Sequence, residues 1–468
     1  SSWIAATSDV TATTTWNVSG EGANKAIYLR LRDVNGQVAT VVTGRVNVDI
    51  TAPTGSVVIN GGATFAASTN VNLTLGASDA TSGIAQMSFS NNGTSWSDWQ
   101  AYATSKTWTL ANGDGSQTVY ARFQDNTGNV SANATDNITL DTSAPTGSVA
   151  INGGATFVAS TNINLTLAAS DATSGVAQMS FSNDGSDWSA WETYATSKSW
   201  TLATGDGSKT VYARYKDNVG NVSTNATATI TLDTVPPSGS IMIDSGATYA
   251  ASTSVTLTAS ASDSTSGVAQ MSFSNDGSNW SAWESYTTSK TWTLATGDGS
   301  KTVYARYKDN AGNVSANTTA PITLDTVAPT GSFVINSGAT YAVSTSVTLT
   351  PSASDPTSGV AQMSFSNDGS NWSAWETYAT SKAWTLATGD GSKTVYARYK
   401  DNAGNVSANA TATITLDTVA PTGSLVINSG ATYAASTSVT LTPNASDSTS
   451  GVAQMSFSND GSNWSAWE

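Results

Sequence analysis

A period of 92 residues governs what this chain can fold into. Pro53, Pro145, Pro237, Pro329 and Pro421 each open a Pro-Thr/Ser-Gly-Ser tag, and successive tags stand 92 residues apart without insertion. Trp16, Trp108, Trp200, Trp292 and Trp384 keep the same interval, as do Tyr28, Tyr120, Tyr212, Tyr304 and Tyr396. Solenoid repeats span roughly 20–50 residues because each leans on its neighbours, whereas a repeat of this length is large enough to enclose its own core. The 468 residues therefore divide into complete units at 49–140, 141–232, 233–324 and 325–416. Partial units at 1–48 and 417–468 carry only the later and only the earlier strands.

Unit 233–324 serves as the type example. SGSIMI at 238–243 alternates toward a strand, and DSGATY then turns the chain. SVTLTASAS at 254–262 sets Val255, Leu257 and Ala259 against threonine and serine, the pattern of a strand with one buried face. VAQMSFS at 268–274 places Ala269, Met271 and Phe273 together, and the Asp-Gly of NDGS marks a hairpin turn. NWSAWESY, SKTWTL, TVYARYKD and VSANTTAPITL complete the set, with Val303, Ala305 and Tyr307 on one side of TVYARYKD. Turn residues recur every 8–12 positions and no stretch has helical periodicity. The pattern predicts an all-β chain of tandem seven-stranded sandwiches, of immunoglobulin or fibronectin-III type. Short proline-containing linkers would join them into an extended rod. There is no cysteine to pin the two sheets, so Ile241, Phe273 and Trp292 are the candidates for that role.

Composition narrows the chemistry. With neither cysteine nor histidine, thiolate nucleophiles, imidazole acid/base catalysis and nitrogen- or sulfur-ligated zinc are excluded, and any metal must be held by oxygen. The formal charge of −15 repels a phosphate backbone, so nucleic acid is not an expected partner. No apolar run is long enough to span a membrane. The abundance of uncharged, strand-compatible polar residues suits an exported protein at the cell surface or outside it. Carboxylates that could pair for catalysis recur with the repeat, and an enzyme seldom needs five copies of an active site; the expectation is that this is not an enzyme.

DTVAPTGS at the start of a unit, SDSTSGV between its second and third strands and TVYARYKDNAGNVS near its end resemble the tandem immunoglobulin-like repeats of large prokaryotic cell-surface proteins. The resemblance covers the whole chain and implies a stalk or surface fibre rather than an activity.

Three features could carry chemistry. Trp280 and Trp283, recurring as Trp372 and Trp375, are the candidate contact surface. Residues three apart on a regular strand point to opposite faces, so either the strand is bulged or one tryptophan of each pair faces outward, where a subunit or a glycan could meet it. The second feature is acidic. In an immunoglobulin-like sandwich the incoming linker and two loops share a pole, which gathers Asp233, Asp263 and Asp309, with Asp206 of the preceding unit facing them across the joint. Asp325, Asp355 and Asp401 with Asp298 form the next set. Converging carboxylates repel one another unless protonated or bridged by a cation, and calcium accepts six to eight oxygens. The competing reading is that these aspartates open turns by bonding their own backbone. The third feature is Asn-x-Ser/Thr, found 17 times, including Asn221, Asn225, Asn313, Asn317, Asn405 and Asn409.

The partial units admit two readings. Either the chain is a window on a longer repeat protein, or the C-terminal half-unit of one subunit is completed by the N-terminal half-unit of the next, a heterologous joint that builds a filament.

Overall fold

The computed structural model describes residues 13–468; the first twelve residues, which open the partial unit 1–48, lie outside the described residues. The chain divides into two compact bodies, residues 1–233 and 234–468. Each contains two sandwiches with both sheets present and one partial unit.

In unit 233–324 the strands are β1 (Ser238–Ile243), β2 (Tyr249–Ala250), β3 (Ser254–Ser262), β4 (Val268–Ser274), β5 (Glu284–Ser285), β6 (Ser289–Thr293), β7 (Gly299–Asp309) and β8 (Thr318–Leu324). They form a three-stranded sheet, β1-β3-β6, packed on a five-stranded sheet, β2-β8-β7-β4-β5. All pairings are antiparallel except β2 with β8, which run parallel with Tyr249 opposite Thr323 and Ala250 opposite Leu324. The other three complete units repeat this plan. It is the immunoglobulin-like sandwich that the alternation predicts, with one extra strand, the two-residue β2, too short to give a periodic signal.

Alternation positions the core. Val255, Leu257 and Ala259 of β3, Met271 and Phe273 of β4, and Val303, Ala305 and Tyr307 of β7 are all buried between the sheets. Ile241 is buried with them, and Phe273 meets the half-buried Trp292 with ring centroids 5.7 Å apart, so the three residues expected to pin the sheets do contact this core. The turn after β1 needs two successive left-handed residues, Asp244 at φ 44° and Ser245 at φ 59°. Asp244 Oδ1 repays part of that strain by accepting the Thr256 N–H at 2.7 Å.

One segment departs from expectation. NWSAWESY is not a strand along its length; only Glu284–Ser285 pairs, and the rest is an irregular run folded over the outer face of β4. Its Ser281 takes the place of a strand partner, donating its N–H to Phe273 O while its Oγ accepts the Phe273 N–H at 3.0 Å. That cover buries Ser272 and Ser274, so β4 is enclosed on both faces although only one face is apolar.

Among the described residues, each partial unit has one pair of hydrogen-bonded strands. Gly22–Leu29 pairs with Val42–Val48, and Thr422–Ile427 pairs with Leu441–Ser446. Leu29, Leu31, Val46, Leu425 and Ile427 are exposed there.

Candidate functional site

The acidic positions converge. In unit 325–416, Asp325 lies at the linker, Asp355 opens the loop after the third strand and Asp401 ends the seventh, and each brings a carboxylate oxygen within 4.8 Å of the others. Asp49, Asp79 and Asp125 form the same group one way along the chain, and Asp141, Asp171 and Asp217 form another. Asp263 and Asp309 occupy the equivalent loops of unit 233–324, and Asp233 the equivalent position after its preceding strand.

Each carboxylate is also a turn former. Asp355 Oδ1 accepts the N–H groups of Thr357, Ser358 and Gly359 at 2.9–3.0 Å. Asp401 Oδ1 accepts those of Gly404 and Asn405, and its Oδ2 accepts the Asn405 amide at 2.9 Å. Asn405 reaches on to the Asp325 carbonyl at 2.8 Å, so the loop grips the linker directly. For Asp125, burial opposes ionisation, but hydrogen bonds from Asn129 and Thr127 outweigh it and hold the carboxyl at about 2. Backbone hydrogen bonds from Ser82, Gly83 and Thr81 hold Asp79 below the usual carboxylate range against partial burial.

Turn formation does not account for every oxygen. Asp49 Oδ2 and Asp355 Oδ2 are buried without a hydrogen-bond partner. The ion pairs Lys198–Glu192, Lys290–Glu284 and Lys382–Glu376 lie away from Asp325, Asp355 and Asp401. A group of three closely spaced, hydrogen-bonded carboxylates with a spare buried oxygen fits a hard, oxygen-seeking cation.

The fourth aspartate expected in each set has a different task. Asp298 Oδ1 accepts both the N–H and the hydroxyl of Thr326, at 3.0 and 2.9 Å, and lies outside the three-carboxylate group. Asp390 does the same with Thr418, and Asp114 with Thr142 and Ser143. Asp206 stands in the corresponding turn of unit 141–232. Asp114, Asp298 and Asp390 thus fasten the linker of the next unit by its threonine. In the partial unit at the start, Glu21 takes this part, accepting from the hydroxyls of Thr51 and Thr81.

The tryptophan pair is neither split across a strand nor set out as a flat platform. Because its segment is irregular, Trp280 and Trp283 fall on the same side, half-buried, with the Arg306 guanidinium between them, 4.1 Å and 4.8 Å from the two ring centroids. Lys308 Nζ adds a further rung, 4.1 Å from Trp283. Trp372 and Trp375 hold Arg398 and Lys400 identically. The cations come from alternate outward positions of the seventh strand, so the ladder binds the irregular cover to the sheet. Sequence reasoning missed this partnership; the signal was a strand that spends two of its outward positions on Arg and Lys in an acidic chain. In the partial unit 417–468, Trp464 and Trp467 are exposed.

Residues 237–305 match the Bacterial Ig domain family, and the 92-residue period repeats that matched sequence in the neighbouring units. No curated protein matches the chain. Among solved structures, a tetra-tandem repeat from the extending region of a large adhesion protein is 20% identical, covers 79% of this chain and 100% of its own, and has a TM-score of 0.30. Fibronectin(III)-like modules of Clostridium thermocellum CbhA are 18% identical over 38% of this chain and 94% of theirs, with a TM-score of 0.27. Three N-terminal domains of the bacteriophage RB49 Highly Immunogenic Outer Capsid protein are 14% identical over 59% of this chain and 100% of theirs, at 0.32.

Proposed function

We propose that this chain is a spacer in an extracellular or cell-surface adhesion-type protein, and that a calcium ion at the linker of each unit stiffens it. The observation that carries the reading is the recurrence of the same three-aspartate group at the base of successive sandwiches, with a buried carboxylate oxygen left over at Asp49 and Asp355. The linker contributes Asp325 and the two loops contribute Asp355 and Asp401, so an ion shared by all three would tie the connection to the sandwich it enters. Calcium suits the donor set because it accepts many oxygens in irregular geometry. Binding to the folded form alone raises stability by about 2.7 kcal/mol per site at a hundredfold excess over Kd. Differential scanning calorimetry should show a calcium-dependent rise in melting temperature that chelator reverses and that Asp355→Asn in the otherwise intact chain reduces. A melting temperature indifferent to calcium and chelator leaves the aspartates as turn formers only.

The glycan-binding alternative loses its main support, because the tryptophans that would stack on a sugar are already stacked on arginine.

A further inference from the structure

We infer that Asn133, Asn225, Asn317 and Asn409 are N-glycan acceptor sites, one in each complete unit. At the approach to the last strand every unit carries two Asn-x-Ser/Thr triplets four residues apart: Asn129 and Asn133, Asn221 and Asn225, Asn313 and Asn317, Asn405 and Asn409. The sequence gives no reason to prefer either member, but their surroundings differ sharply.

The first member is closed at both ends. The amide nitrogens of Asn129, Asn221, Asn313 and Asn405 donate to the Oδ2 of Asp125, Asp217, Asp309 and Asp401 at 2.7–2.9 Å. The hydroxyl two residues on is equally committed. Ser131 Oγ accepts the Phe123 N–H at 2.9 Å and donates to the Ala132 carbonyl at 2.8 Å, and Ser223 and Ser407 do the same with Tyr215 and Tyr399. An enzyme that must hold both the amide and the hydroxyl would have to pull apart the carboxylate group and the edge of the seventh strand.

The second member is open. Asn133, Asn225, Asn317 and Asn409 are exposed, stand immediately before the last strand, and have no side-chain hydrogen bond among the described residues. The hydroxyl residues Thr135, Thr227, Thr319 and Thr411 are exposed as well. Other recurring triplets lack this freedom: the amides of Asn279 and Asn371 donate to Asp276 and Asp368.

The co-reactant is an activated sugar, carried on a lipid pyrophosphate or a nucleotide. The asparagine Nδ2 forms a bond to the anomeric carbon as the bond from that carbon to phosphate oxygen breaks. The phosphate departs with the electron pair, the amide proton passes to a base on the transferase, and no oxidation state changes. The product would carry one glycan per 92-residue unit, on the same face of every sandwich.

The test is incubation of the folded chain with a nucleotide-sugar-dependent N-glycosyltransferase, followed by glycopeptide mass spectrometry. Residues 129–137, 221–229, 313–321 and 405–413 differ enough in sequence to assign each site. Occupancy at the four open asparagines should exceed that at the four closed ones by about tenfold or more, the penalty for breaking a buried hydrogen bond, and prior denaturation should collapse the ratio. Asn225→Gln should abolish modification of its own peptide without transferring it to Asn221. Equal occupancy of both classes in the folded chain overturns the inference, as does an empty open class when the denatured chain is modified.

Discussion

Gly239 of the Pro-Ser-Gly-Ser tag lies under the ring of Tyr307, where a Cβ would fall 2.5 Å from Cε2, and Gly147 and Gly331 meet Tyr215 and Tyr399 in the same way. The tag is therefore a packing device, not only a turn. Gly239→Ala should destabilise its sandwich by about 1–3 kcal/mol through overpacking, read as faster hydrogen exchange in peptides covering residues 238–262. The tyrosine above it donates its hydroxyl to the Ser240 carbonyl at 2.7 Å. Burial, and then the neighbouring Tyr286 phenol, push the Tyr307 hydroxyl up to about 12. Because the folded form holds this proton more tightly than an unfolded chain, its contribution is complete below about pH 10. It is lost as pH rises through 10 to 12. Tyr307→Phe should cost about 1 kcal/mol at neutral pH and should blunt the alkaline loss in that unit. Unit 49–140 provides the comparison, since Phe123 stands at this position; alkaline titration followed by hydrogen exchange should find it the least sensitive of the four.

Among elements, the strands with one apolar face were legible in the sequence. SGSIMI, SVTLTASAS and VAQMSFS give the bounds of β1, β3 and β4 directly, because each must hide alternate residues. NWSAWESY was not legible, since the period of two presumes a regular strand and this segment is held by side chains: Ser281 against β4, and two tryptophans against Arg306. The carboxylate group was legible for a different reason. Loops at one pole of a sandwich must meet, so Asp325, Asp355 and Asp401 could be placed from topology alone, whereas Asp298 depends on how one unit abuts the next and turned out to hold Thr326. The ladder makes its own prediction. Arg306→Ala removes two ring contacts and should loosen the cover over β4 at a cost of about 2 kcal/mol. Hydrogen exchange in residues 275–285 should accelerate while that of β1 and β3 changes little.

At the scale of the molecule, each unit ends as the next begins, so removing 92 residues leaves the junction chemistry intact. Deleting 233–324 joins Leu232 to Asp325 and restores a linker of the native pattern. Calorimetry of that chain should find the melting temperature unchanged and the unfolding enthalpy reduced by one unit's share. Tension brings out a property of the short parallel pair β2–β8. The chain enters a unit ahead of β1 and leaves after β8, so a pull on its two ends loads β1, paired with β3 along its length, before it reaches β2. Once β1 is drawn off, β2 and β8 are dragged lengthwise past each other instead of peeled apart, and Thr323 N–H to Thr248 O at 3.0 Å and Asp325 N–H to Ala250 O at 2.9 Å bear the load together. A sandwich that gave way would pay out about 300 Å of chain.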